Sequence, residues 1–182
     1  MKDEFHLRSA LPSDVSRITV LWSNLMEFHE PIDNIFERSP DAQNHFQSYL
    51  NSRLEPPELD ATIHQNIQQG VPESRDFFAF VAIDQNTEEI VGYIMGGTSK
   101  VSPVFKIQEY GNISDICVSN THRRLKIGYK LVEKAKRWFK NKGIKHVKIM
   151  VASGNQISIA FWRKMGFEPI MYQMHYKFGL DP

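Results

Sequence analysis

Cysteine is nearly absent. Cys117 stands alone among 182 residues, which excludes an internal disulfide and a cysteine-built zinc cluster and makes a reducing cytoplasm the expected compartment. Long hydrophobic runs are missing too. The longest uninterrupted one, Phe77 to Ile83, has seven residues, against the roughly 20 that a bilayer-crossing helix needs. Met1 to Arg17 is too charged for a secretory leader, so no membrane partner is expected. The seven histidines show neither HExxH nor any paired spacing, and no metal site is expected. Internal repeats and low-complexity tracts are absent. The remainder, 41% hydrophobic and 12% aromatic, is the composition of an ordinary globular protein. At this length folding buries roughly 70% of the unfolded surface, and residues 1–182 read as one domain.

The net charge of +1 conceals a segregation. Between Thr121 and Lys148 eleven Lys/Arg stand against Glu133 alone, a balance of +10, whereas residues 1–120 hold eight Lys/Arg and eighteen Asp/Glu, a balance of −10. The basic stretch suits an anionic ligand and the acidic part a cationic one. From Lys134 to Lys142 the lysines read as a solvated helix face. Trp138 and Phe139 fall on that helix's core stripe and Tyr129 stands alone, so aromatics for base stacking are not interleaved and no nucleic-acid partner is expected.

Periodicity divides the chain into elements. Leu7 to Ala10 can start a strand, and Pro12-Ser13-Asp14 opens a helix with Val15, Ile18, Leu21, Trp22, Leu25 and Phe28 at helical spacing. Ser39-Pro40-Asp41 and Pro56-Pro57-Glu58 each open a further helix, the second stopping at Gly70. Phe77 to Ile83 and Ile90 to Met95 read as a hairpin buried on both faces, extended by a third strand over Ile107 to Val118. Ile127 to Lys142 is an amphipathic helix stopped by Gly143, Val147 to Val151 a strand, and Asn155 caps a short helix to Met165. From Ile170 to Phe178 apolar and polar residues alternate, which predicts a half-buried strand. The order is that of a mixed α/β domain.

The segment Ile113 to Gly128, ISDICVSNTHRRLKIG, leaves a strand and enters a helix. Unpaired amides and the macrodipole make a helix start an anion site, and Gly128 lets an anion approach the backbone. Arg123, Arg124, Lys126 and Lys130 add charge. Here the sequence resembles the GNAT superfamily of N-acetyltransferases, whose acetyl-CoA signature is Arg/Gln-x-x-Gly-x-Gly/Ala after a strand ending in valine. This chain has Arg123-Arg124-Leu125-Lys126-Ile127-Gly128 after Ile116-Cys117-Val118. The family's later Asn, small residue, Tyr and Gly-Phe correspond in spacing to Asn155, Ser158, Trp162, Gly166 and Phe167, and Leu7-Arg8-x-Ala10 with Asp14 is similar to its opening.

The resemblance implies an α+β fold with a central, mostly antiparallel sheet, one splayed pair of strands and flanking helices. It implies an N-acetyltransferase moving acetyl from acetyl-CoA directly to a primary amine, of a small cationic molecule or of a peptide. Ile116, Cys117 and Val118 would pair with pantetheine. The amides from Arg124 through Leu125, Lys126 and Ile127 to Gly128, with Tyr129 and Lys130 following, would hold the pyrophosphate, and Asn155, Ser158 and Trp162 would lie beside the pantetheine arm. Two positions depart from the pattern: Lys126 replaces a glycine, and Trp162 replaces a tyrosine whose hydroxyl protonates the departing thiolate, a role an indole cannot fill. Tyr172 or Tyr176 is a substitute acid, and Asp115 and Glu109 are candidate bases. Cys117, between Ile116 and Val118, reads as packed rather than nucleophilic. His29, with Glu27, Glu30 and Asp33, lies where relatives form their acceptor pocket. The alternative is an acetyl-CoA-binding regulatory module without turnover. A homodimer through the last alternating strand is compatible with the sequence.

Overall fold

The computed structural model describes residues 4–54, 76–100, 102–176 and 178; the helix expected from Pro56 to Gly70 lies outside them. Strand β1 (Phe5–Ser9) and a single 3-10 turn at Pro12–Asp14 lead into α1 (Val15–His29), followed by α2 (Ala42–Leu54). Strands β2 (Phe77–Asp84), β3 (Ile90–Lys100) and β4 (Glu109–Val118) follow, then α3 (Ile127–Asn141), β5 (Val147–Ile149) and α4 (Gln156–Lys164).

The five strands form one sheet in sequence order. β1 to β4 are antiparallel and β5 runs parallel to β4. β2 is buried at every position, because both faces of the sheet are covered. On one face α3 presents Ile127, Leu131, Val132, Ala135, Trp138 and Phe139 to Phe78, Phe80 and Ile94. Fully burying a side chain of this kind is worth about 1.5–3 kcal/mol, so this stripe, not helix propensity, holds α3 in place. On the other face α1 and α2 lay Ile18, Leu21, Phe46 and Leu50 over Ala79, Val81, Tyr93 and Met95, with Trp22 stacked on Phe46 at 4.5 Å between ring centroids. The opening motif has a structural role: Arg8 pairs with the buried Asp14, which also accepts from the Leu11 amide at 2.7 Å, fastening β1 to the start of α1.

Two local features position the site. Met95 pairs with Asp115 and Gly96 with Ile113, leaving Ser114 as an extra residue in β4. Such a bulge bends the strand and resets its alternation. Ile113 packs toward α3 before it, and Ile116 and Val118 pack toward α3 after it, while Cys117 packs toward α1 and α2. Asp115, opposite Met95, therefore shares the α1/α2 face. The approach at the bulge is close enough that a Cβ on Gly96 would sit 2.1 Å from the Asn112 carbonyl oxygen. The second feature is that β5 pairs with β4 only at Gly111, Asn112 and Ile113. Beyond the bulge the two strands part, and the edge of β4 from Asp115 to Val118 is left without a β5 partner.

The half-buried strand expected at the C-terminal end is not found. Among the described residues from Phe167 to Tyr176 no regular structure forms, and Ile170, Met171, Tyr172, Met174 and Tyr176 are 76–90% exposed. The alternation needs a partner strand and a covering face, and the rest of the described chain provides neither.

Candidate active site

The opening between β4 and β5 is flanked by two helix starts. At α3 the chain passes through Arg123, Arg124, Leu125 and Lys126, all exposed. Arg124 (φ 66°) and Lys126 (φ 62°) are left-handed. A side chain is disfavoured there by about 1–2 kcal/mol, a strain that glycine at the position of Lys126 would not carry. No side chain caps α3, and its first intrahelical bond is donated by Lys130. The amides of Ile127, Gly128 and Tyr129 thus stay available at the positive end of the helix. A Cβ on Gly128 would meet only Phe161 at 3.5 Å and Val118 at 3.8 Å, ordinary contacts. The protein's own packing does not demand glycine; space for something beside the backbone does.

At α4 the buried Asn155 accepts from the Ser158 amide at 3.0 Å, and its Nδ2 lies 3.4 Å from His29 Nε2. His29 Nδ1 is 2.8 Å from the Leu25 carbonyl, to which it donates, leaving Nε2 to accept. The end of α1 is so joined to the start of α4, and Ile32 packs against Gly154, where a Cβ would stand 2.7 Å away. Glu30 and Glu27 reach Arg38 at 2.5 and 3.9 Å, and Asp33 accepts from the Ile35 amide. The carboxylates expected to draw a cation are already engaged within their own loop.

Asp115 is half-buried at the opening and makes no hydrogen bond or ion pair among the described residues. Burial raises its carboxyl to about 6. Cys117 is buried, and burial pushes its thiol up to about 11 despite the opposing Arg123 guanidinium, so a nucleophilic thiolate is disfavoured. Glu109 is exposed at the other end of β4, six residues and about 20 Å of strand from Asp115. Tyr172 is 89% exposed on the irregular C-terminal segment. Trp162 is 6% exposed and packs edge-on against Phe161 and Phe167. Phe161, half-buried, is the α4 residue that meets Gly128 at the start of α3, and no motif in the sequence marks it. A groove of about 540 Å³ runs along the outer flank of α3 past Tyr129, Lys130 and Arg137 to Phe5 and His6. Among the described residues no cluster of His, Cys, Asp or Glu is arranged for a metal, and no helix is long and apolar enough to cross a membrane.

The acetyltransferase (GNAT) family profile matches residues 39–167, from α2 through both helix starts to Phe167. The chain belongs to this family. The solved structures similar to this GNAT protein agree with the fold. A tetramutant of the BH1408 protein from Bacillus halodurans superposes with a TM-score of 0.76 at 18% identity, over 95% of this chain and 99% of that one. The aminoglycoside N-acetyltransferase AAC(6')-Iy in complex with CoA gives 0.65 at 15% identity, over 97% and 95%. An aminoglycoside acetyltransferase from an uncultured soil metagenomic sample gives 0.61 at 19% identity, over 99% of both. An uncharacterized N-acetyltransferase of Bacillus subtilis, YobR, is 31% identical over 71 residues, which are 39% of this chain and 28% of that protein. The expected GNAT architecture, a sheet splayed between β4 and β5 with helices on both faces, is the one found.

Proposed function

We propose that the protein is an acetyl-CoA-dependent N-acetyltransferase whose acceptor is a small cationic amine. The bulge at Ser114 carries this reading, because just past it Asp115 lies on the α1/α2 face and the edge of β4 is left without a β5 partner toward the opening. The residues fit the cofactor: uncapped amides at Ile127 to Tyr129 and the surrounding cations suit a pyrophosphate, and the free β4 edge suits the amides of pantetheine. Acetyl-CoA supplies an acyl thioester activated toward amines. The protein's contribution is to place the amine and take its proton. Asp115, raised to about 6, is largely ionised at pH 7 and more basic than an ordinary carboxylate, the range in which a general base works best. Trp162 is packed in the core and would supply no acid to a departing thiolate, so the protein's contribution would be proximity and the amide hydrogen bonds it offers.

The acceptor reading rests on the aminoglycoside acetyltransferases among the similar structures, on the −10 balance of residues 1–120, and on Asp115 as the unengaged carboxylate at the opening. We further infer that two copies associate through their C-terminal segments, whose exposed Ile170, Tyr172, Met174 and Tyr176 alternate like a strand next in sequence to an outer strand, β5, paired on one side. Changing Met174 and Tyr176 to Lys together should halve the mass measured by light scattering, and an unchanged mass removes the inference.

Thermal unfolding with acetyl-CoA, free CoA and ATP tests the cofactor site. Acetyl-CoA and CoA, not ATP, should stabilise by about 2.7 kcal/mol at a hundredfold excess over Kd. An amine screen reading released CoA thiol then separates enzyme from silent binder. Asp115→Asn should lower kcat/KM by about 100-fold or more and remove an acid limb near pH 6. The same carboxyl bears on stability. Its folded value lies above the unfolded one, so its protonated form favours the fold; the contribution of this group is greatest below about pH 4 and falls as pH rises through 6, by about 3 kcal/mol. Asp115→Asn should abolish that fall in denaturant titrations across the window.

A further inference from the structure

Tyr93, in the middle of β3, is fully buried. Its hydroxyl is the one buried side-chain polar atom without a hydrogen-bond partner among the described residues. A buried phenol normally finds a partner, and phenylalanine would fill the same space without the desolvation of a hydroxyl, so the oxygen itself needs an explanation. Its neighbours provide one. Tyr93 stands opposite Cys117 in the β3–β4 register, and Asp115 opposite Met95, which makes Tyr93 and Asp115 diagonal neighbours on one face. Diagonal pairs lie about 7–8 Å apart at the backbone, within reach of an aromatic side chain. Burial, and after it the charge of Asp115, hold the phenol well above its ordinary range, so it remains a donor. Asp115 in turn has no partner of its own among the described residues. Two unsatisfied polar groups thus share an otherwise apolar wall, close but not touching, which is the arrangement that a single water with two or more polar contacts fills.

We propose that Tyr93 is a positioning residue: its hydroxyl and the Asp115 carboxylate hold a water between them, and this water relays the proton from the acceptor amine to Asp115. The ammonium gives one proton to the water and the water gives one to the carboxylate, so the amine is left neutral for attack and the water is regenerated. The proposal rests on the acetyltransferase reading for the identity of the proton donor, but the coupling of Tyr93 to Asp115 stands apart from turnover. Cys117 is the further titratable group on this wall, under the influence of Arg123. The covering Ile18, Leu21, Trp22 and Phe46 do not titrate.

The test is Tyr93→Phe, read by 13C NMR titration of the Asp115 carboxyl and by the pH profile of kcat/KM. A hydrogen bond donated toward a carboxylate favours its charged form. Its loss should raise the Asp115 midpoint above about 6 by roughly one unit. The acid limb of kcat/KM should move with it, kcat should fall about tenfold, and KM for acetyl-CoA and the melting temperature should be unchanged. Fluorotyrosine incorporated at position 93, a stronger donor, should move the midpoint the opposite way. A midpoint that stays put in both proteins, or moves the same way in both, overturns the proposal. So does a Tyr93→Phe protein that melts much lower, since the hydroxyl is then structural. A shift in the titration of a protein that acetylates no amine keeps the coupling and overturns the relay together with the enzymatic reading.

Discussion

Two helix starts stand beside the opening between β4 and β5, and they are built oppositely. At α4 the capping oxygen comes from the chain itself: Asn155 satisfies the Ser158 amide and is held by His29. At α3 nothing from a side chain serves the first amides, and the approach runs through two left-handed residues with exposed cations. A cap makes a helix start structural; its omission keeps the same donors in reserve for a ligand. One end therefore stabilises the fold and the other is free to bind.

Substitutions at each end should separate these roles. The largest effect is expected at Gly128. Gly128→Ala should leave the free protein as stable as before or up to about 1 kcal/mol more so, since alanine is the better helix former and meets only ordinary contacts. The stabilisation by acetyl-CoA, about 2.7 kcal/mol at a hundredfold excess in the parent, should largely vanish in the same melting experiment. Asn155→Ala should do the reverse, with about 1–2 kcal/mol lost from the free protein, or about 3–6 °C in melting temperature. Asn155→Asp keeps the cap and loses the donor to His29, so the difference between the two variants isolates the cap. A fall in CoA affinity as large as the fall in stability would erase the distinction between the helix starts. The smallest effect belongs to Lys126→Gly. Relief of the left-handed conformation, about 1 kcal/mol, is partly offset by the added freedom of the unfolded chain, for a net gain of about 0.5 kcal/mol by denaturant titration.

Much of this was legible in the sequence because it depends on local rules. The stripe from Ile127 to Phe139 has helical period, Asn155 has the chemistry of a cap, and the basic loop before Gly128 is a spaced motif. The face to which Asp115 turns is set differently. Simple alternation would group Asp115 with Ile113 toward α3, and nothing in the composition of Ser114 announces that it is skipped by the pairing. Tyr93 was invisible for a related reason: strands buried on both faces read as continuous apolar runs, in which an unpaired hydroxyl looks like any other core residue. At the C-terminal end the failure ran the other way. The alternation from Ile170 to Phe178 is present, but alternation reports a strand's willingness to pair and says nothing of whether a partner lies in the same chain. Trp162 matched a family position by spacing alone, while its bulk drew it into the core beside Phe167.

The slot beside β4 is held open by surplus length. Ser114 adds one peptide unit to a strand whose partner has none to match it. Removing it would leave Asp115 following Ile113 directly, still on the α1/α2 face, while straightening β4 and inviting β5 to pair onward past Ile113. Every residue named in the site would survive that deletion, and the gap beside β4 would close like a zip. In this protein a single-residue deletion at a chemically inert serine is thus a sharper blow to the site than many substitutions within it.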